Sequence, residues 1–145
     1  MAVSALVYGN MLKGALSTDP IDLLTDTIKV SLHTVTYTPN QDTDIFFSAA
    51  TNEAAGTGYT AGGATLGTKT LTYTAGTNVI AFDAADTVWT TSSITARYAV
   101  IYKDTGVATT SPLIAYVDFG VDETSTAADF TIAWDAAGIF TITPA

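Results

Sequence analysis

Large side chains recur at every second position along much of this sequence, and that spacing constrains the fold more than any other feature. Ile28, Val30 and Leu32 alternate with Lys29, Ser31 and His33, and Phe130, Ile132 and Trp134 alternate with Thr131 and Ala133. Successive side chains of a strand leave opposite faces, so a period of two predicts strands that are apolar on one side and polar on the other. The stretch from residue 27 reads as one such half-buried strand, with His33 exposed at its end. Residues 70–73 and 79–82 flank Ala75-Gly76-Thr77-Asn78 and predict a hairpin. Residues 94–103 and 113–119 predict a longer pair around a loop holding Asp104, Gly106, Ser111 and Pro112. Residues 130–134 and 139–143 flank Asp135-Ala136-Ala137-Gly138 and predict a third pair. Ile45-Phe46-Phe47 reads as a short helical turn. Seven or eight strands with frequent turns and no long helix predict an all-β chain, an antiparallel β-sandwich or small barrel of jelly-roll or Greek-key type.

The β-pattern occupies residues 17–145 as one domain, and residues 1–16 precede it as an arm or short helix. Ser17-Thr18-Asp19-Pro20 marks the junction, with Pro suited to a turn or a first helical position. Val3, Leu6, Met11 and Leu12 are too large to lie loosely in water and, with Tyr8, form the candidate interface. Two readings stand: the segment is one more core element, or it is an arm that docks on a neighbouring subunit. On the second reading, deleting residues 1–16 leaves the β-domain folded and weakens assembly.

Leu, Ile, Val and Phe number 35 of 145 residues, enough to bury a core without disulfides or metal. Thr is the commonest residue, at 28, and suits a pleated surface whose outer face stays wet. Charged residues are only 13%, about half the usual share. The strand faces thus lack the lysines that discourage edge-to-edge pairing, and a chain locked into an assembly can have its edges covered by neighbours.

Several function classes recede on composition. No cysteine exists for a disulfide, thiolate site or nucleophile, and His33 is the single histidine. The net charge of −9, with five scattered cations, opposes nucleic acid and anionic lipid. No apolar run approaches the ~20 residues of a membrane span. The first residues lack a basic stretch and are broken at Gly9 and Asn10, which predicts a chain used without export.

The motifs are weak. Residues 56–63, GTGYTAGG, lack the spacing and Lys of a phosphate cradle and read as a loop. Asp118-Phe119-Gly120 matches the kinase magnesium tripeptide with none of its context. Asp42 and Asp44 beside Asn40, and Asp122, Glu123 and Asp129, are solvated loops or weak calcium sites. Glu53 and Glu123 are the only glutamates available to a paired-carboxylate glycosidase. Tyr59, Tyr73, Trp89, Tyr98, Tyr102, Tyr116 and Trp134 are core aromatics or a glycan-stacking set. The residues predict no enzyme, no cofactor and no metal.

Three runs carry a resemblance. DTIKVSLHTVTYTPNQDTDIFFSAATNEAAGTGYTAGGATL at 26–66, ITARYAVIYKDTGVATTSPLIAYVDFG at 94–120 and DFTIAWDAAGIFTIT at 129–143 resemble, in order and spacing, a family of small tailed-bacteriophage virion proteins. The better understood relatives of that family resemble head decoration, or cement, proteins. The resemblance implies a structural virion protein and no catalytic residues. Together with the neutral, Thr-rich strands it leads to the expectation of a cement protein on the outer capsid surface, assembled in the bacterial cytoplasm, whose partner is the major capsid protein. The need to link several weak contacts leads to the expectation of a homotrimer. The other expectation is a tail-associated or head-fibre module that contacts host-surface glycans.

Overall fold

A computed structural model describes residues 2–144. Among them are eleven strands and one short helix: β1 Ala2–Val3, β2 Leu6–Val7, α1 Gly9–Ala15, β3 Ile28–His33, β4 Ala64–Thr65, β5 Thr70–Thr74, β6 Val79–Asp83, β7 Thr87–Ser92, β8 Thr95–Lys103, β9 Leu113–Thr124, β10 Ala128–Trp134 and β11 Phe140–Ile142. The count exceeds the expected seven or eight because β1, β2 and β4 are two-residue pieces too short to leave a pattern. A 3₁₀ turn at Phe47–Ala49 lies where the aromatic run Ile45-Phe46-Phe47 suggested one.

The strands form three open sheets, ordered β2-β9-β8-β3-β4, β11-β6-β5 and β1-β10-β7. All pairs are antiparallel except β1, which runs parallel to β10. The chain is an all-β sandwich rather than a closed barrel. The expected hairpin β5–β6 and the long pair β8–β9 both form, in registers that place Thr72 opposite Ala81 and Val100 opposite Tyr116.

The third expected pair does not form. β10 pairs with β7, whereas β11 pairs with β6. The turn after Trp134 is a corner between sheets: the Asp135 amide donates to the Val3 carbonyl and the Ile139 amide to the Phe82 carbonyl. Gly138, at φ +117°, passes so close to Phe82 that an added Cβ would sit 2.8 Å from its carbonyl oxygen. The glycine therefore serves the crossing and not a tight hairpin.

The expectation for β3 is also corrected. Its residues Lys29, Ser31 and His33 share a sheet face with Tyr98, Val100 and Tyr102 of β8 and Tyr116 of β9. That face is not wet. Tyr37 and Phe47, from the long connection after β3, bring their rings against His33, Tyr98 and Tyr102, and Tyr8 packs on Tyr116. Phe47 stacks on Tyr102 with centroids 3.9 Å apart. The opposite face carries Ile28, Val30, Leu32, Ala99, Ile101, Ala115 and Val117. These share one core with Phe82, Trp89, Phe130, Ile132, Trp134, Ile139 and Phe140 of the two smaller sheets. Each large aliphatic side chain buried there contributes about 1.5–3 kcal/mol.

Candidate functional site

The catalytic side-chain types converge at one place, on β3. The imidazole of His33 is fully buried. Its Nδ1 lies 2.8 Å from the Thr51 carbonyl and its Nε2 2.9 Å from Ser31 Oγ. A carbonyl only accepts, so the neutral ring carries its proton on Nδ1, and Ser31 donates to Nε2. Burial pushes the His33 pKa below its ordinary value, opposed in part by the Thr51 carbonyl and the Glu53 charge.

A serine, a histidine and a group orienting the second ring nitrogen have the connectivity of a nucleophile and its base. Here the orienting group is an uncharged carbonyl. Ser31 is also fully buried, and its Oγ lies 3.4 Å from the Val100 carbonyl of β8 as well as beside the imidazole. The pair satisfies two buried polar side chains with each other. The sequence reading of His33 as exposed failed because residues 34–54 fold back over the strand face. The signal that placed Ser31 and His33 together was their spacing of two, which sets both on one face.

The glycine stretch 56–63 covers the edge of β3 beyond the two residues that β4 pairs. The Leu32 amide donates to the Tyr59 hydroxyl at 2.9 Å, and that hydroxyl donates to Glu53 Oε1 at 2.6 Å. The Gly62 amide adds a second donor to the same oxygen at 2.6 Å, and the Tyr102 hydroxyl donates to the Gly62 carbonyl at 2.7 Å. Burial first, and then the bond to Glu53, raise the Tyr59 pKa. Gly63, at φ +77°, lies against β3 so tightly that a Cβ would stand 1.9 Å from the Val30 carbonyl oxygen. Glu53 is thus an edge-sealing acceptor opposite His33 of β3, and Glu123 lies on β9 opposite Ala96 of β8.

The acidic loop at residues 40–44 is tied largely by its own backbone. Asp44 accepts from the Asn40 amide and the Tyr37 hydroxyl, while Asn40 Oδ1 accepts from the amides of Asp42 and Thr43. The second expected acidic loop is not one: Asp122 and Glu123 lie on β9 and Asp129 on β10, because the two strands run on almost to their connection at residues 125–127. Asp129 accepts from the Thr91 amide of β7. Among the described residues no group of three or more His, Asp or Glu side chains is placed to hold a metal ion. A cleft of about 320 Å³ runs between the far end of β9 and β10, with Val3, Phe119, Phe130 and Ile132 as its apolar lining and Glu123 and Asp129 at its rim. No helix among the described residues is long and apolar enough to cross a membrane.

The aromatic set is mostly interior. Trp89, Tyr102 and Trp134 are buried, and Tyr59, Tyr98 and Tyr116 are partly so. Only Tyr73 stands well out, 60% exposed. The five residues of the candidate interface divide. Tyr8 and Met11 are buried within this chain's own core, Val3 is half-buried beside Trp134, and Leu6 and Leu12 are 55% and 46% exposed. Tyr8 and Met11 went inward because the segment is stitched down from both sides: Ala5 donates to the Ile139 carbonyl and Tyr8 to that of Ile114. Leu16, 80% exposed, was missed by sequence reasoning, since its place after α1 gives no periodic signal.

No family model, curated protein or solved structure matches the chain.

Proposed function

We propose that this chain is a structural subunit of a tailed-bacteriophage particle, a capsid decoration protein that binds the outer head surface and bridges neighbouring major capsid subunits. The carrying observation is the division of the N-terminal segment. Tyr8 and Met11 root it in the core, while Leu6, Leu12 and Leu16 are held out in water on that rooted base. Exposed leucines fixed in position keep their side chains ready for a partner, and their burial there stabilises a complex without ordering a loose tail first.

A cement protein adds binding energy across capsomer boundaries. A single contact of modest size is weak, but a homotrimer at a local threefold axis links three such contacts, and effective concentration multiplies them. The mechanism is mechanical: bridged subunits separate more slowly under the pressure of packaged DNA. The net charge of −9 is harmless on an outer shell, away from that DNA. The resemblance of residues 26–143 to small phage virion proteins supports the same role.

Imaging of purified particles at subnanometre detail tests it. Density for this chain on the outer head is expected, and density confined to the tail, or absent from the particle, overturns the reading. Leu12→Asp with Leu16→Asp should abolish particle binding while the isolated chain melts as the parent does.

A further inference from the structure

The sheet edges of this fold are guarded unequally. β1, β2 and β4 are two residues long and β11 three, too short to template another strand. The part of β9 that runs on past β2 carries Asp118, Asp122 and Glu123, whose charges oppose pairing with a like strand. β7 is six residues long but is interrupted by a register shift opposite Ala128 and Phe130. β5 has none of these protections. It is five residues long, pairs without irregularity to β6 alone, and exposes all five side chains. Leu71 and Tyr73 stand 42% and 60% exposed on one of its faces.

Its charge is as notable as its exposure. The chain carries fourteen acidic residues, yet residues 70–78, TLTYTAGTN, carry no charge. Lys69, the cation that could block the edge, turns its ammonium back onto the Asp26 carbonyl. Lysine directed along or off an edge strand is a common guard against pairing, and here it is withdrawn.

We propose that β5 is a pairing edge for a second copy of this chain, joined antiparallel about a two-fold axis through Thr72. Thr-Leu-Thr-Tyr-Thr reads alike in chemical type in both directions, so a two-fold axis through its centre sets like with like: apolar opposite apolar and Thr opposite Thr. With Thr72 facing Thr72, Leu71 of one copy lies opposite Tyr73 of the other, and Thr70 opposite Thr74. Aliphatic–aromatic and Thr–Thr pairs are both favourable cross-strand neighbours. No acid meets an acid across the seam, so a strongly negative chain can approach itself here. The Tyr73 hydroxyl donates to Asn78 Oδ1 at 2.8 Å, which pins its ring along the hairpin. The result is one six-stranded sheet, β11-β6-β5 continued by β5-β6-β11.

Two five-residue strands bury less than the roughly 1,000 Å² of a stable interface, so the contact is weak between free copies and strengthens where copies are arrayed. A two-fold contact cannot close a trimer. It joins one cluster of copies to the next and does not depend on where the protein sits in a virion.

The test uses the isolated full chain. Sedimentation and native mass spectrometry up to about 1 mM should show a concentration-dependent doubling of the basal mass, in the weak range of affinity. Thr72→Lys and Thr72→Glu each place like charges across the axis. Each alone should lose the doubling by at least about tenfold in association constant, with unchanged melting because Thr72 is exposed. Mixing the two variants should restore a heterodimeric step. Absence of doubling in the parent, or doubling unaffected in both variants, overturns the proposal. Failure to bind phage heads would bear on the cement reading alone.

Discussion

The hydroxyl of Tyr8 lies 2.9 Å from that of Tyr37, and Tyr37 in turn donates to Asp44 at 3.1 Å. This bond ties the N-terminal segment to the long loop that covers β3, two parts of the chain 29 residues apart. Burial raises the pKa of both phenols, so both stay neutral and the chain of donors runs one way, from Tyr8 through Tyr37 to the carboxylate.

Removing that link should cost stability. Tyr8→Phe keeps the ring and leaves Tyr37 its bond to Asp44, so a loss of about 1 kcal/mol is expected. Tyr8→Ala also opens a cavity beside Tyr116 and should cost about 3–5 kcal/mol. Deleting residues 1–16 removes β1, β2 and α1 together and should lower the unfolding midpoint sharply, where the sequence alone allowed a dispensable arm. Urea unfolding followed by tryptophan fluorescence measures all three. A truncated chain as stable as the parent would return the segment to the status of an arm.

The strands legible in the sequence were those with one face apolar over five or more residues. The hairpin β5–β6 and the pair β8–β9 were read because their turns hold Gly, Asn or Pro at the reversal. The Asp135–Gly138 turn carries the same signals and deceives, since nothing in Asp-Ala-Ala-Gly distinguishes a hairpin from a step between sheets. What decides it is Phe82, more than fifty residues away, whose carbonyl receives Ile139. Ser31 and His33 look outward by the same short-range logic, yet both are buried, and Tyr37 and Phe47 bring their rings onto His33, a tertiary event that no local period encodes. Of the candidate interface, size alone marked Val3, Leu6, Tyr8, Met11 and Leu12, and size does not say which way a side chain turns.

His33 should make stability depend on pH. Its folded-state pKa is lowered by burial, so between that value and the unfolded value near 6.5 the unfolded chain binds more protons. Stability is then complete above pH of about 6.5 and falls as pH drops toward the folded pKa. The Thr51 carbonyl and the Glu53 charge soften the effect without reversing it. Ser31, Thr51, Tyr37 and Phe47 bring no charge. His33→Asn should lower stability at neutral pH by about 1–3 kcal/mol through lost hydrogen bonds, and should flatten the pH dependence between 5 and 7. Urea midpoints of both proteins across that range give the answer, and parallel curves would show that another group is responsible.

Thr91 holds a left-handed backbone at φ +49°, a region that β-branched residues seldom occupy. It sits where β7 shifts register against β10, and its amide is fixed there by the Asp129 carboxylate at 3.0 Å. Such a conformation stores about 1–3 kcal/mol. Thr91→Gly releases it, at the cost of about 0.5–1 kcal/mol from the more flexible unfolded chain. A net gain of about 1 kcal/mol is expected, seen as a raised melting temperature. Asp129→Ala should move the midpoint the other way, because the Thr91 amide then loses its acceptor. A fall in stability for Thr91→Gly would mean that the threonine side chain contributes more at the bulge than its backbone strain removes.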